Sequence, residues 1–273
     1  MFIDAHCHIN SLAEEEIDKI VSSCRSNHIF IDSSINISSA LKSLQLSNKY
    51  PCIYSAIGFH PFSAKEFSET TVADYEKALQ QNKKIVAIGE IGLDEFADTA
   101  LKGQEEIFCH FLVLAKKFNL PVIIHNRVSH SPNGGASLAS LARAGARVAG
   151  APASQPHIFD ILDKYFASYE KIIFHCFSYS KDFLEKITSK HGFASFSLNV
   201  LRKKKDIIES LKAVPLENML LETDSPYMKI SGHASSPLNI EAVYSFAAAT
   251  KNVEIEKLKE AICVNANKLF QLK

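Results

Sequence analysis

Eight short apolar segments, alternating with stretches of helical period, dominate this chain. The segments predict strands at FIDA (2–5), IFIDSS (29–34), CIYSAIG (52–58), KIVAIGE (84–90), PVIIH (121–125), KIIFHCF (171–177), FASFSL (193–198) and NMLLETD (218–224). Helices are predicted where apolar residues recur every three or four positions with charges between them, as in EEEIDKIVSSCRS, KGQEEIFCHFLVLAKKF, KDFLEKITSK and KKKDIIESLKAV. Nearly continuous apolar strands that alternate with helices are typical of a parallel sheet covered by helices.

Eight such units in 273 residues predict a closed (β/α)8 barrel of the TIM type. The alternative is an open doubly wound sheet. That fold commonly carries a glycine-rich phosphate-binding loop after its first strand, and this sequence has none there. We therefore predict a single α/β domain, a TIM-type barrel, over residues 1–273.

Residues 131–156 differ in composition from the rest of the chain. The segment SPNGGASLASLARAGARVAGAPASQP holds eight alanines and four of the ten glycines, and it contains arginine but no lysine. Long surface loops add little closure entropy, so we predict a tolerated insertion between the fifth strand and its helix. A lid or substrate loop is the alternative interpretation.

Composition limits the class of protein. No apolar run approaches the roughly 20 residues of a bilayer span, and no signal-peptide pattern opens the chain. The six scattered cysteines form no Cys-x-x-Cys pair, which predicts reduced thiols and a cytoplasmic location. The net charge is zero, so overall charge gives no reason to expect a nucleic acid partner.

Histidines and carboxylates stand at or just after the predicted carboxyl ends of the strands. They are His6, His8, His60, Glu90, His125, His175 and Asp224. In a parallel barrel these ends meet at one face, where barrel enzymes build their active sites. The residues therefore predict a polar site at that face.

The pattern of residue types favours a metal centre. His6 and His8 stand two residues apart, so both side chains point to one side of the strand and Cys7 points to the helix layer. Four histidines and two carboxylates exceed the needs of one tetrahedral ion, and a carboxylate bridge at Glu90 would let two ions use them all. Two ions ~3.5–4 Å apart can activate water for displacement at phosphorus.

The motifs FIDAHCHIN, GFHP, IGEIGLD, PVIIHNR, HCFS and LLETDSP occur in the order found in TatD-type metal-dependent hydrolases, which are relatives of the amidohydrolase barrels. The chain resembles this family from residue 2 to about 270, including VNANKLF, which is similar to the closing helix of the family. The segments EIGLDEF and ETDSPYMKISGH are most similar to its deoxyribonuclease-like members. The runs after His125-Asn126-Arg127 and at 235–242 depart from the usual family sequence.

The resemblance implies a monomeric phosphodiesterase, a deoxyribonuclease acting on single-stranded DNA or DNA ends, without a membrane partner. It implies two divalent metal ions per chain, Zn, Mn or Mg. The implied metal ligands are His6, His8, Glu90, His125, His175 and Asp224. Glu90 would bridge the ions, and Asp224 would also act as the general base.

The resemblance also implies roles around the metal ions. His60 would polarise or orient the scissile phosphate, and the planar guanidinium of Arg127 would suit a phosphate oxygen. Asp94 and Glu222 would orient ligand histidines.

Two other functions remain open. An amidohydrolase-like site would hydrolyse an amide, ester or lactone, but many such barrels place a modified lysine where this chain has Glu90. A metal-bearing barrel that has lost catalysis and serves as a binding scaffold is favoured only by the insertion at 131–156.

Overall fold

The structure is a computed structural model and describes residues 1–24, 27–127, 158–230 and 232–272. Its central feature is a sheet of eight parallel strands, whose order in space is their order in the sequence. The strands are β1 Phe2–Cys7, β2 His28–Ser33, β3 Ile53–Ile57, β4 Ile85–Asp94, β5 Val122–Arg127, β6 Ile172–Phe174, β7 Phe193–Phe196 and β8 Met219–Leu221. A short antiparallel pair follows, formed by β9 Lys229–Ile230 and β10 His233–Ala234.

Helices connect the strands and cover the sheet. In the part of the chain that the structure describes, the α-helices are α1 Glu14–Ser23, α2 Ile37–Lys49, α3 Thr71–Gln81, α4 Leu101–Phe118, α5 Ile158–Tyr165, α6 Lys181–Thr188, α7 Lys205–Ala213, α8 Ile240–Lys251 and α9 Ile255–Phe270. Polar residues set several of their ends: the Asn36 side chain accepts from the backbone N–H of Ser39 at the start of α2, and Asn119 ends α4 in the left-handed conformation. Within the described ranges, no helix is long and apolar enough to cross a bilayer.

The barrel closes between β8 and β1, directly beside the polar residues that end these strands. The backbone N–H of Asp224 donates to the carbonyl of His6 over 3.0 Å, and that of His8 donates to the carbonyl of Ser225 over 2.7 Å. Eight sequentially ordered parallel strands that alternate with helices confirm the predicted TIM-type barrel.

Among the described residues, apolar side chains pack in two clusters. The larger one involves strands throughout the sheet and the helices that cover them. The smaller one lies between β1–β3 and the first two helices, and it includes Cys7, Ile17, Ile20, Phe30 and Tyr50. Cys7 is therefore turned toward the helix layer, as strand alternation predicts, which leaves the side chains on either side of it facing the barrel axis. All six cysteines are free thiols.

Strand β4 is longer than predicted. The sequence suggested an end at Glu90, but the strand continues to Asp94. The pairing of β4 with β5 shifts in register between Ile88 and Ile91. At this irregularity the N–H of Glu90 donates to the carbonyl of Ser34, 3.1 Å away. Such irregularities re-aim a side chain. Glu90 and Asp94 lie four residues apart, so this one strand contributes two carboxylates on the same face. The predicted insertion at 131–156 lies outside the described residues.

Candidate metal centre

Glu90 lies at the middle of the candidate site and presents its two carboxylate oxygens to different histidines. Oε2 lies 3.5 Å from Nε2 of His6 and 3.4 Å from Nε2 of His8. Oε1 lies 2.7 Å from Nδ1 of His125 and 2.8 Å from Nε2 of His175. We call these two sets of atoms the His6 group and the His125 group. The Glu90 carboxylate is shared by both groups.

Asp224 completes the His6 group. Its Oδ1 lies 3.8 Å from Nε2 of His6 and 3.6 Å from Nε2 of His8, and these two nitrogens are 3.1 Å apart. Asp224 has a left-handed backbone conformation with φ of 54°. L-residues adopt this conformation rarely, and such positions cluster at functional sites.

The His125 group contains the other two predicted histidine ligands and has His60 beside it. Nδ1 of His125 lies 3.2 Å from Nε2 of His175. Nε2 of His60 lies 3.4 Å from Oε1 of Glu90. The structure therefore brings together all six side chains predicted as ligands, with His60 in contact with the shared carboxylate.

Ser33, the last residue of β2, orients both histidines of β1. Its carbonyl oxygen lies 2.9 Å from Nδ1 of His8, and its hydroxyl lies 3.0 Å from Nδ1 of His6. A carbonyl oxygen only accepts, so Nδ1 of His8 carries the proton and Nε2 of the neutral ring presents a lone pair to the group. Sequence reasoning missed Ser33, whose only signal was its place near the end of the second predicted strand.

Asp94 and Glu222 contact the outer nitrogens of the other two histidines. Oδ2 of Asp94 lies 2.8 Å from Nε2 of His125. Oε1 of Glu222 lies 3.5 Å from Nδ1 of His175 and accepts a 2.6 Å hydrogen bond from the N–H of Cys176. Carboxylates in such positions fix the orientation of the ring and raise the basicity of the imidazole. These are the positions that the family resemblance implied.

The site concentrates positive charge around the Glu90 carboxylate. Burial raises the pKa of Glu90, but the neighbouring imidazoles, that of His175 foremost, outweigh burial and hold that pKa well below its usual range. Burial lowers the pKa of His8, but contacts with Asp224 and Glu90 outweigh it and raise the pKa to about 10. The donors of the site thus favour a bound cation, whether a proton or a metal ion.

The arrangement of donor atoms fits divalent metal ions. Three-residue sets drawn from this site place their ligand atoms within 4.8 Å of one another. Ligands about 2.0–2.1 Å from a tetrahedral ion lie about 3.3 Å apart. Because His125 donates from Nε2 to Asp94, its Nδ1 lone pair faces the anionic oxygen of Glu90 at 2.7 Å. That contact is repulsive unless a proton or a metal ion lies nearby, and imidazole with carboxylate suits Zn or Mn.

His60 presents a hydrogen-bond donor to the site. Its Nδ1 accepts from the backbone N–H of Phe62 over 3.1 Å, so the neutral ring carries its proton on Nε2, beside Glu90. Burial lowers the pKa of His60, which favours this neutral ring. His60 is therefore placed to donate to an oxygen bound at the His125 group.

Arg127 lies at the rim of the site. It is the exposed last residue of β5, and its guanidinium carbon lies 4.3 Å from the centroid of the Phe96 ring. The N–H of Phe96 donates in turn to Asp94, which contacts His125. The sequence indicated Arg127 but missed the exposed ring on which its guanidinium stacks.

Known proteins share this fold and sequence. The family model of TatD-related DNases matches residues 3–271. The metal-dependent hydrolase MJ1582 of Methanocaldococcus jannaschii is 31% identical over 276 residues, with 99% of this chain and 97% of that protein covered. The crystal structure of YjjV, a TatD homologue of Escherichia coli, matches with a TM-score of 0.82 at 22% identity, covering 100% of this chain and 98% of that one.

A more distant structural match is the phosphotriesterase homology protein of Escherichia coli, solved with phosphate in its active site. It matches with a TM-score of 0.65 at 14% identity, covering 99% of this chain and 98% of that one. At this identity the likeness shows the shared barrel.

The barrel, the buried histidine and carboxylate cluster and the relatives together define a metal-dependent hydrolase built on a TIM-type barrel. Within that class, the chain belongs to the TatD-related DNase family.

Proposed function

We propose that this protein hydrolyses phosphodiester bonds of DNA with two divalent metal ions bound at the His6 and His125 groups. The observation that carries the proposal is the division of the Glu90 carboxylate, which offers one oxygen to each group. The description of the family as DNases supports DNA as substrate, and the phosphate bound by the distant Escherichia coli match supports chemistry at phosphorus.

The six predicted ligands would divide between the two ions. His6, His8 and Asp224 would hold one ion, His125 and His175 would hold the other, and Glu90 would serve both. When bound, the ions would lower the pKa of a water molecule and stabilise charge on the phosphoryl oxygens.

Asp224 is the proposed general base. Burial raises its pKa, but the hydrogen bond with His8 and the nearby His175 ring outweigh burial and lower it, so the carboxylate is ionised at neutral pH. Its side chain is 15% exposed, whereas that of Glu90 is 5% exposed, so attacking water reaches Asp224 more readily. Glu90 is correspondingly enclosed by imidazoles, which suits a fixed bridging role.

His60 and Arg127 are proposed to position the phosphate. The Nε2–H of His60 donates to a non-bridging oxygen beside the His125 group. Arg127 approaches the same nucleotide from the rim, because its planar guanidinium can pair with two phosphate oxygens.

The test uses purified protein loaded with Mg²⁺, Mn²⁺ or Zn²⁺, with metal content measured by mass spectrometry. End-labelled single-stranded DNA is the main substrate, and a lactone and an amide are assayed in parallel. We expect DNA cleavage that Asp224→Asn lowers about 100-fold or more, since removal of a general base costs at least that much. Asp182→Asn, at an exposed carboxylate on α6, is the matched control.

Intact DNA in the presence of protein with both sites loaded would overturn the nuclease proposal. Turnover of the lactone or amide in that experiment would favour the amidohydrolase alternative.

A further inference from the structure

Three exposed aromatic side chains surround the candidate metal centre. In the part of the chain that the structure describes, Phe62, Phe96 and Tyr227 are exposed by 56%, 41% and 55%, and every other phenylalanine or tyrosine there is buried or partly buried. Exposed apolar side chains that gather at one place mark a binding surface. Each of these three lies within two residues in sequence, or in ring contact, of a residue of the site.

Two of the rings lie on the side of the His125 group. The Phe62 ring centroid is 5.2 Å from that of His60, whose ring is 4.4 Å from that of His125. The guanidinium carbon of Arg127 lies 4.3 Å from the centroid of the Phe96 ring. This side of the site therefore combines two exposed rings with one exposed cation.

The third ring lies on the side of the His6 group. The Tyr227 ring centroid is 4.8 Å from that of His8, at an interplanar angle of 62°. Its neighbour Met228 has its sulfur 3.8 Å from a guanidinium nitrogen of Arg202, which is exposed. An exposed ring and an exposed cation therefore also occur together on this side.

We propose that Phe62, Phe96 and Tyr227 form a base-stacking site for single-stranded nucleic acid, with bases held on both sides of the scissile phosphate. This rests on the proposed nuclease function and deepens it by naming the residues that recognise the strand. Aromatic rings stack on bases of any sequence, and guanidinium groups track the phosphates between them. A base on each side of the metal centre would place the intervening phosphate between the His6 and His125 groups.

The test compares two oligodeoxynucleotides of equal length, one with all its bases and one with abasic tetrahydrofuran residues on both sides of the cleaved bond. Phe62→Leu, Phe96→Leu and Tyr227→Leu keep an apolar side chain but remove the ring. We expect each to raise KM for the complete strand about 5- to 150-fold, from the 1–3 kcal/mol that stacking contributes per base. KM for the abasic strand and the metal content are expected to stay as in the wild type.

Val264→Ala, at a 61% exposed position on α9, is the control for loss of exposed apolar surface. Binding of both strands to the Asp224→Asn protein, measured by fluorescence anisotropy with and without each leucine substitution, gives a readout independent of turnover.

The outcomes separate the two proposals. Leucine variants that bind and cleave both strands like the wild type would overturn the stacking proposal. Variants that lose the same factor in affinity for both strands would overturn it as well. Protein that cleaves neither strand but binds the complete strand more tightly, in a ring-dependent way, overturns the nuclease function and supports the stacking site.

Discussion

Asp4 on the first strand accepts two hydrogen bonds from Thr223, which follows the eighth strand. The backbone N–H of Thr223 donates over 2.9 Å and its hydroxyl donates over 2.6 Å, between residues 219 positions apart. Both residues are fully buried. The pair therefore joins the first and last strands of the barrel next to His6 and Asp224.

We expect Thr223→Val to lower the free energy of unfolding by about 1–3 kcal/mol, because it leaves a buried carboxylate oxygen of Asp4 without its hydroxyl donor. Urea unfolding in EDTA measures the loss. Thr188→Val is the matched control, since that hydroxyl bonds the carbonyl of Leu184 within its own helix and is half-buried. Equal stability of the two variants would contradict this role for the Asp4–Thr223 pair.

Substitution of the proposed ligands is expected to distinguish the two metal sites. Glu90→Gln should weaken the binding of both ions. His8→Asn should weaken only the ion at the His6 group, and His125→Asn only the ion at the His125 group. Each substitution should lower the metal affinity by at least the roughly 10–100-fold that is typical when a hydrogen-bond partner of a metal ligand is lost. Metal titration followed by mass spectrometry measures affinity and stoichiometry, with the exposed His110→Asn as control. A Glu90→Gln protein that loses one ion alone would argue against the bridge.

Without metal, the protein is expected to lose stability as the pH rises from 7 to 8.5. Burial lowers the pKa of His8, His125 and His175, but neighbouring carboxylates outweigh burial and raise all three, that of His8 to about 10. In the unfolded chain these rings titrate near 6.5. Above that pH the folded state binds more protons, so its stability falls by at most about 1.4 kcal/mol per pH unit for each proton.

Urea unfolding in EDTA at several pH values between 7 and 8.5 measures this slope. His6 and His60 add little in this window, because their lowered pKa values keep them neutral in the folded state and only a minor fraction of them is protonated in the unfolded chain above pH 7. The slope should be shallower in His8→Asn. A slope that His8→Asn leaves unchanged would contradict the raised pKa of that ring.

Gly92 allows β4 and β5 to approach each other at the site. It lies opposite His125 in the ladder, with φ of 146°, and a Cβ at this position would lie 1.8 Å from the carbonyl oxygen of His125. We expect Gly92→Ala to destabilise the protein by about 3 kcal/mol or more, since the strands must separate. Gly103→Ala, inside α4, is the control and should stay within about 1 kcal/mol of the wild type. Equal shifts of the melting temperature in the two variants, measured by thermal unfolding, would contradict the close approach of the strands.

Local pattern was enough to predict the barrel and the faces of its elements. The helix predicted at 102–118 is observed as Leu101–Phe118, because its apolar period and its charged face are properties of the segment itself. The alternation of β1 likewise predicts that Cys7 faces the helices. Strand β4 continues past its predicted end at Glu90 to Asp94, where imidazoles from other strands surround the buried carboxylate of Glu90.

The sequence by itself therefore determined the (β/α)8 fold and the set of polar residues that this fold carries at the ends of its strands, since both follow from periods of two and 3.6 residues. Only the tertiary structure decided how those residues meet. It divides the two Glu90 oxygens between the two groups, places His6 and His8 in hydrogen-bond contact with Ser33, and stacks the Arg127 guanidinium on the Phe96 ring. These contacts join different strands. Their distances depend on the closure, register and packing of the barrel, which no local period contains.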